Sequence, residues 1–565
     1  MCLLEKYRAV GLSAPLKYLI NHGISAFLAL LFAQQSYGVT TVPLQPNQNS
    51  PEPSPIPVST ETTNQVAAKQ VLYIKEFRVR GAHHLARNVV EETVYPFLGP
   101  GRTTNDIEQA RAALEKAYQD KGYQTVSVQI PQQTGAHGIV FLQVNEQRVG
   151  RLRVRDSRYF SLKKIKQGAP SLAEGSVPKF DEVTRDIIAL NQLPDRRITP
   201  GLHPGAEPGT VDVDLTVKDT FPLHGSLELN NRYSANTKAL RLNGSVSYNN
   251  LWQLGHSLGF SFQVSPEDLD QVRVFSGYYI ARIQGVPWFN FSLFGVKQNS
   301  NVSTLGGIAS AGRGETISAR AIMTLPAGAD FYHSFTLGLD YKHYDQTSTV
   351  AAGQLLETPI TYYPLSADYS ATWAKKGAVT DLDVNVTANI RGLGSNETEF
   401  DLNRFRSRGS FIYLRGSIAH THDFSSGLQA FGKLQGQVVD QPLVNNEQLA
   451  GGGLATVRGY LEAEALGDDG IFGSLELRTP QLVRWTKAEG NDWRAYIFAD
   501  GGVLTIRDAL PAQTSSFTLA SVGIGTRFRF LNHLNGSLDA AVPLIDLVQT
   551  DAFDTQVTVR LWTDF

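Results

Sequence analysis

Apolar and polar residues alternate along the carboxy-terminal part of the chain with the period of two that places successive side chains on opposite faces of a strand. From Leu223 onward the stretches "HGSLELNNRY", "LRLNGSVSY", "HSLGFSFQV", "VRVFSGYYIARI", "FNFSLFGV", "HSFTLGLDYKHY", "LDVNVTANIRG" and "SVGIGTRFRF" read this way, separated by Gly, Asn, Asp and Ser turns. About 16 such strands fit into residues 221–565, and no helical periodicity interrupts them. An even number of antiparallel strands closed on itself leaves no unpaired backbone edge, which is the condition for crossing a bilayer with strands. In "TQVTVRLWTDF", Val557, Val559, Leu561, Thr563 and Phe565 share one face, and Gln556, Thr558, Arg560, Trp562 and Asp564 the other. The pattern predicts a transmembrane β-barrel rather than a soluble all-β array.

Upstream the period changes. "VLYIKEFRVRGAHHL" predicts a strand with Tyr73, Phe77 and Val79 on one face. Ile107, Ala110, Leu114, Ala117 and Tyr118 fall on one face of a helix that Asn105 and Glu108 are spaced to cap and Gly122 to end. The strands "YQTVSVQIP" and "IVFLQV" follow, so residues 71–148 read β-α-α-β-β. The same order recurs over 149–220: strand "GRLRVR", helices in "SLKKIKQGA" and "KFDEVTRDIIALNQL", then "PDRRITPGLHPGAEPG", whose Pro and Gly content predicts turns without helix or strand, then strand "TVDVDLTV". Two small α+β modules in tandem precede the barrel.

The amino terminus carries Lys6, Arg8 and Lys17, the apolar run "ISAFLALLF", and small residues at Ser36 and Gly38. This is the layout of a secretory signal peptide over 1–38. The apolar run is too short to span a bilayer, which takes about 20 residues. Residues 39–70, rich in Pro, Ser, Thr, Gln and Asn, have too few large apolar groups for a core and read as a periplasmic linker.

Composition narrows the function. The chain of 565 residues carries 51 basic against 53 acidic side chains and no long basic block, which argues against a nucleic-acid partner. Its single cysteine, Cys2, excludes disulfides and cysteine-based metal sites. No His-Glu-x-x-His, nucleophile elbow or phosphate-cradling loop is present, so the reading is a non-enzyme with no cofactor, no metal and no small-molecule substrate. The pair His83-His84 sits on a turn and is read as solvated.

Three stretches resemble one family: "LNQLPDRRITPGLHPGAEPGTVDVDLTV" with "PLHGSLELNNRY", "VRGY" in a long Gly-rich loop, and "FADGG" in a later strand. The chain resembles the outer-membrane transporters of two-partner secretion, the TpsB or haemolysin secretion/activation proteins. The resemblance implies two periplasmic POTRA modules (71–148 and 149–220), a 16-stranded outer-membrane barrel (221–565), and a loop at about 440–470 folded into the lumen. It implies that Arg458, with Val457, Gly459 and Tyr460, meets a wall motif of Phe498, Asp500 and Gly502. Strand parity alone turns Arg494, Tyr496, Phe498 and Asp500 to one side and Ile497 and Ala499 to lipid, and turns Glu476 and Arg478 inward.

The implied partners are outer-membrane lipid and an unfolded secreted exoprotein, adhesin-like or haemolysin-like. A sheet edge can capture such a client by adding a strand. The first module then offers Tyr123, Thr125, Ser127 and Gln129 on its edge strand, beside Leu114 and Tyr118, with core packing the competing role for Leu114. An insertase that folds other barrels, and a passive porin, are the alternatives.

Overall fold

The structure, a computed structural model, describes residues 71–133, 136–300, 302–303, 310–311, 313–328, 330–345, 347–349, 355–483 and 491–565. The expected signal peptide and linker, 1–38 and 39–70, lie outside the described residues. Two compact units divide the chain at Phe221/Pro222.

In the first small module, strand Glu76–Arg80 runs parallel to Ile139–Glu146, and Val126–Gln129 pairs antiparallel on the other side of that central strand. Helices Arg87–Val94 and Thr104–Asp120 cover the sheet. The longer helix is capped by a different pair than expected: the Asp106 carboxylate accepts from the backbone N–H and the hydroxyl of Thr103, each at 2.7 Å. The first predicted strand breaks at Lys75, and Leu72–Ile74 pairs instead with Gly99–Arg102. Tyr73 therefore stands exposed, while Phe77 and Val79 pack on the core.

The second module repeats the plan, with Arg148–Arg155 parallel to Thr210–Asp219 and helices Leu162–Gln167 and Phe180–Leu190. Here the turn expectation fails: Arg196–Pro204 is a nine-residue strand, antiparallel to Thr210–Asp219. It lies at the edge of its sheet, the one place where prolines such as Pro200 and Pro204 cost no ladder hydrogen bond. Arg196 belongs to the module itself, 5.0 Å over the Phe160 ring and donating to the Leu190 carbonyl at 2.6 Å.

The second unit is a closed antiparallel barrel of sixteen strands, from Leu223–Asn230 to Gln556–Asp564. Closure is made by Gln556–Asp564 pairing with Leu223–Asn230, from Arg560 opposite Asn230 to Asp564 opposite Ser226. Among the described residues no helix is long and apolar enough to cross a membrane; the strands carry the apolar surface. Leu227, Phe260, Leu337, Leu475, Ile497 and Ile524 point outward and are exposed, as burial against lipid requires. Trp252, Trp288 and Trp373, at the end with short turns, are exposed amphipathic rings of the kind that mark a membrane interface. Inward positions are polar: Asn290, Ser292, Gln437, Glu476, Asp500 and Arg560 are buried.

Candidate functional site

Val439 ends one strand and Asp469 begins the next, and the segment between them folds back into the lumen. Its tip carries Arg458. The guanidinium donates from Nε to Asp500 Oδ2 at 2.6 Å and from NH2 to Asp500 Oδ1 at 2.8 Å, the planar two-point pairing that a lysine cannot make. NH1 donates to Glu476 Oε1 at 2.7 Å and NH2 to the Ser474 hydroxyl at 3.2 Å. The Phe498 ring closes the stack, its centroid 3.5 Å from the guanidinium carbon. Arg458 is only 4% exposed, so its charge depends wholly on these partners.

The neighbours of Arg458 fix the same tip by other means. Val457 is fully buried with Leu449, Phe472, Leu504 and Leu519. Gly459 takes φ +92, and a Cβ there would lie 3.2 Å from Ala541 Cβ and 3.3 Å from the Pro543 nitrogen. The Tyr460 hydroxyl donates to the Ile545 carbonyl at 2.8 Å. On the wall, Gly502 makes room for the Phe472 ring, whose nearest atom would stand 2.2 Å from an added Cβ. Glu476, Arg478 and Arg494 all line the cavity below the loop, which measures about 680 Å³.

Several anchors were not read from the sequence. Ser474 donates to Asp500 Oδ1 at 2.7 Å, and Asp539 stands 3.5 Å from Arg458 while accepting from the Tyr496 hydroxyl at 2.6 Å. Strand parity places Ser474 on the face of Glu476 and could have found it; Asp539 is brought in by barrel closure alone. At the base of the loop, buried Glu447 accepts from Lys342 and Tyr362, each at 2.6 Å, and from Tyr413 at 2.9 Å. Farther along the loop, Glu462 accepts from Arg232 at 2.6 Å and Glu464 from the Thr550 hydroxyl at 2.6 Å. The loop is thus tied to walls on several sides of the lumen.

The candidate client groove is corrected in part. Leu114 and Tyr118 are fully buried in the first module's core and offer a client no surface. Tyr123 is half-buried against that core. Thr125 and Ser127 are partly exposed and Gln129 is exposed. On the free edge, Val128 points its backbone away from its partner strand, its N–H 3.5 Å from Glu115 and its carbonyl 3.3 Å from Arg111, and these two side chains pair with each other. His84 is not simply solvated: its Nδ1 lies 2.7 Å from Glu146, which also accepts from the His83 and His84 N–H groups and from the Tyr118 hydroxyl.

The family description "haemolysin secretion/activation protein ShlB/FhaC/HecB" matches residues 209–528, and "POTRA domain, ShlB-type" matches 72–147. The outer membrane transporter CdiB of Dickeya dadantii (strain 3937) is 22% identical over 454 residues, covering 76% of this chain and 76% of that protein. Among solved structures, CdiB from Escherichia coli superposes with a TM-score of 0.63 at 20% identity, over 90% of this chain and 93% of that one. BamA from Haemophilus ducreyi lacking POTRA domains 1-3 gives 0.54 at 12% identity, over 87% and 100%. At such identities the two structures share the fold.

Fold and lumenal loop together define an outer-membrane barrel transporter preceded by POTRA modules in the periplasm. The chain belongs to the ShlB/FhaC/HecB haemolysin secretion/activation family, the TpsB transporters of two-partner secretion.

Proposed function

We propose that this transporter captures an unfolded exoprotein in the periplasm through the edge strand of its first POTRA module and threads it through the barrel to the cell surface. Folding of the cargo outside supplies the direction, since the periplasm offers no nucleotide. The loop carrying Arg458 acts as a latch that closes the lumen at rest and has to be held in one place for export to proceed.

The observation that carries this reading is the placement of Arg458 on Asp500, Glu476 and Phe498 inside a polar lumen. Arg458 seats the tip of a loop that Glu447, Tyr460 and Glu462 also tie to the wall, so the loop stays in one place while a client passes. Ser127 and Gln129 lie on the strand offered to the client, with Thr125 in the turn that precedes it, and Arg111 with Glu115 shields its backbone until the client strand replaces them.

Deleting residues 72–146 tests the reading. Loss of one secreted protein supports export of a dedicated client. General loss of outer-membrane barrels supports an insertase, and an unaltered phenotype supports a passive porin.

A further inference from the structure

Four serines stand in one line across the first four barrel strands, Leu223–Asn230, Arg241–Leu251, His256–Val264 and Arg273–Arg282. Ser226 is opposite Ser245, Ser245 opposite Ser261, and Ser261 opposite Ser276. The hydroxyls of Ser226 and Ser245 are 2.7 Å apart, and Ser276 donates to Ser261 at 3.4 Å. Three cross-strand steps make a ladder about 14 Å long. One level along, Ser247 is opposite Gly259, with His224 and Tyr278 on the flanking strands of that level.

Ser226, Ser245, Ser247 and Ser261 line the same cavity of about 680 Å³ that the tip of the loop roofs with Leu454, Ala455 and Thr456. The ladder has one charged end: Asp564 is opposite Ser226, and Glu228 on the same strand pairs with Arg560 at 2.8 Å. Asp381, Lys433, Arg478 and Arg494, on the ninth to thirteenth strands, present further charge to the same space, and Arg458 is latched among them.

An unfolded chain entering the lumen brings a peptide donor and acceptor with every residue, and these need partners once water is displaced. A serine hydroxyl is donor and acceptor at once and rotates to suit. Hydrogen bonds between neutral groups are about half as strong as those to charged groups. The hydroxyls from Ser245 through Ser261 to Ser276 therefore satisfy a moving backbone without a deep well, whereas the charged positions would hold acidic and basic side chains.

We propose that the Ser226–Ser245–Ser261–Ser276 ladder is the surface along which the extended exoprotein backbone runs, between the wall of the first strands and the underside of the loop. This rests on the reading that the client crosses the lumen. It assigns the path to one side of it, and assigns these serines as positioning residues for transport.

The test places p-benzoylphenylalanine, one site at a time, at Ser245, Ser261, Val379 or Lys433 of the full-length chain in cells. The client is the exoprotein whose export is lost on deleting residues 72–146. Illumination during export should give adducts from 245 and 261 in several-fold higher yield than from 379 and 433. Equal yields, or higher yields from 379 and 433, overturn the ladder but leave passage through the lumen standing. Export without adducts from any of the four sites overturns both. Because a bulky probe can itself obstruct the cavity, the triple variant Ser226→Ala/Ser245→Ala/Ser261→Ala provides a second reading. Its export rate should fall several-fold with the barrel fully inserted and Arg458 still latched; an unchanged rate overturns the proposal.

Discussion

Arg458 donates to the Asp500 carboxylate twice from its side chain and once more from its own backbone N–H, at 3.1 Å. Main chain and side chain of one loop residue thus converge on one wall residue. Arg458→Ala strips the buried Asp500 carboxylate of its paired guanidinium, a loss of about 3–5 kcal/mol for a buried pair, while Glu476 keeps Arg478 at 2.6 Å and Arg527 at 3.3 Å. Export should be lost while the barrel still inserts, as read by surface exoprotein and by outer-membrane fractionation. Arg458→Lys restores the charge without the fork and should rescue only weakly. Normal export by the alanine variant would remove the latch from the mechanism.

Gly459 turns the loop tip back toward the wall with a positive φ. An alanine there is strained by about 1–2 kcal/mol in the left-handed region and also crowds Ala541 and Pro543. Gly459→Ala should weaken the latch without removing it, giving slower export and a lower melting temperature than the parent.

Glu447 holds the base of the loop through Lys342, Tyr362 and Tyr413. Glu447→Ala leaves the Lys342 ammonium buried and should destabilise the barrel by about 3–5 kcal/mol. In planar bilayers it should give larger, noisier conductance as the base loosens. Removing the stranded charge as well, in Lys342→Met/Glu447→Ala, should restore part of the stability and none of the anchoring.

Glu146 ties the turn at His83-His84 and the Tyr118 hydroxyl to the end of the first module's last strand. Burial disfavours its charge, but the His84 and His83 donors and Tyr118 outweigh that and hold its pKa at about 2, below the ordinary 4.5. A lowered folded pKa means stability that is fully present above about 4.5 and lost as pH falls toward about 2. Protection of the amides of residues 72–146 in the full chain, relative to their intrinsic exchange rates at each pH, should fall across that window. Glu146→Gln should flatten the dependence, and an unflattened one would assign the effect to other carboxylates.

Arg111 and Glu115 shield the backbone of Val128 on the free edge. Substituting both with alanine uncovers that edge. Crosslinking of the exoprotein to Gln129 should then rise several-fold in cells, because the client no longer displaces a bound pair. Reduced crosslinking would make the two side chains client contacts instead of a shield.

The alternation from Leu223 to Phe565 was enough to read a barrel, because a strand with lipid on one side and a wet lumen on the other leaves a period of two that no distant contact can erase. The inward facing of Asp500, Glu476 and Arg494 followed from the same parity. The partner of Arg458 did not: only the likeness of "VRGY" and "FADGG" to one family joined residues that lie 42 positions apart in the chain. Pairing over that distance is set by three-dimensional closure, as are the Arg232–Glu462 and Lys342–Glu447 anchors. Arg196–Pro204 shows the opposite limit, since Pro and Gly content signals turns, and only position at a sheet edge makes such a stretch a strand. Leu114 and Tyr118 carried an apolar periodicity that groove and core share. Sequence settled which residues leave water; the tertiary structure decided which of them were left for a client, because exposure depends on what packs on top.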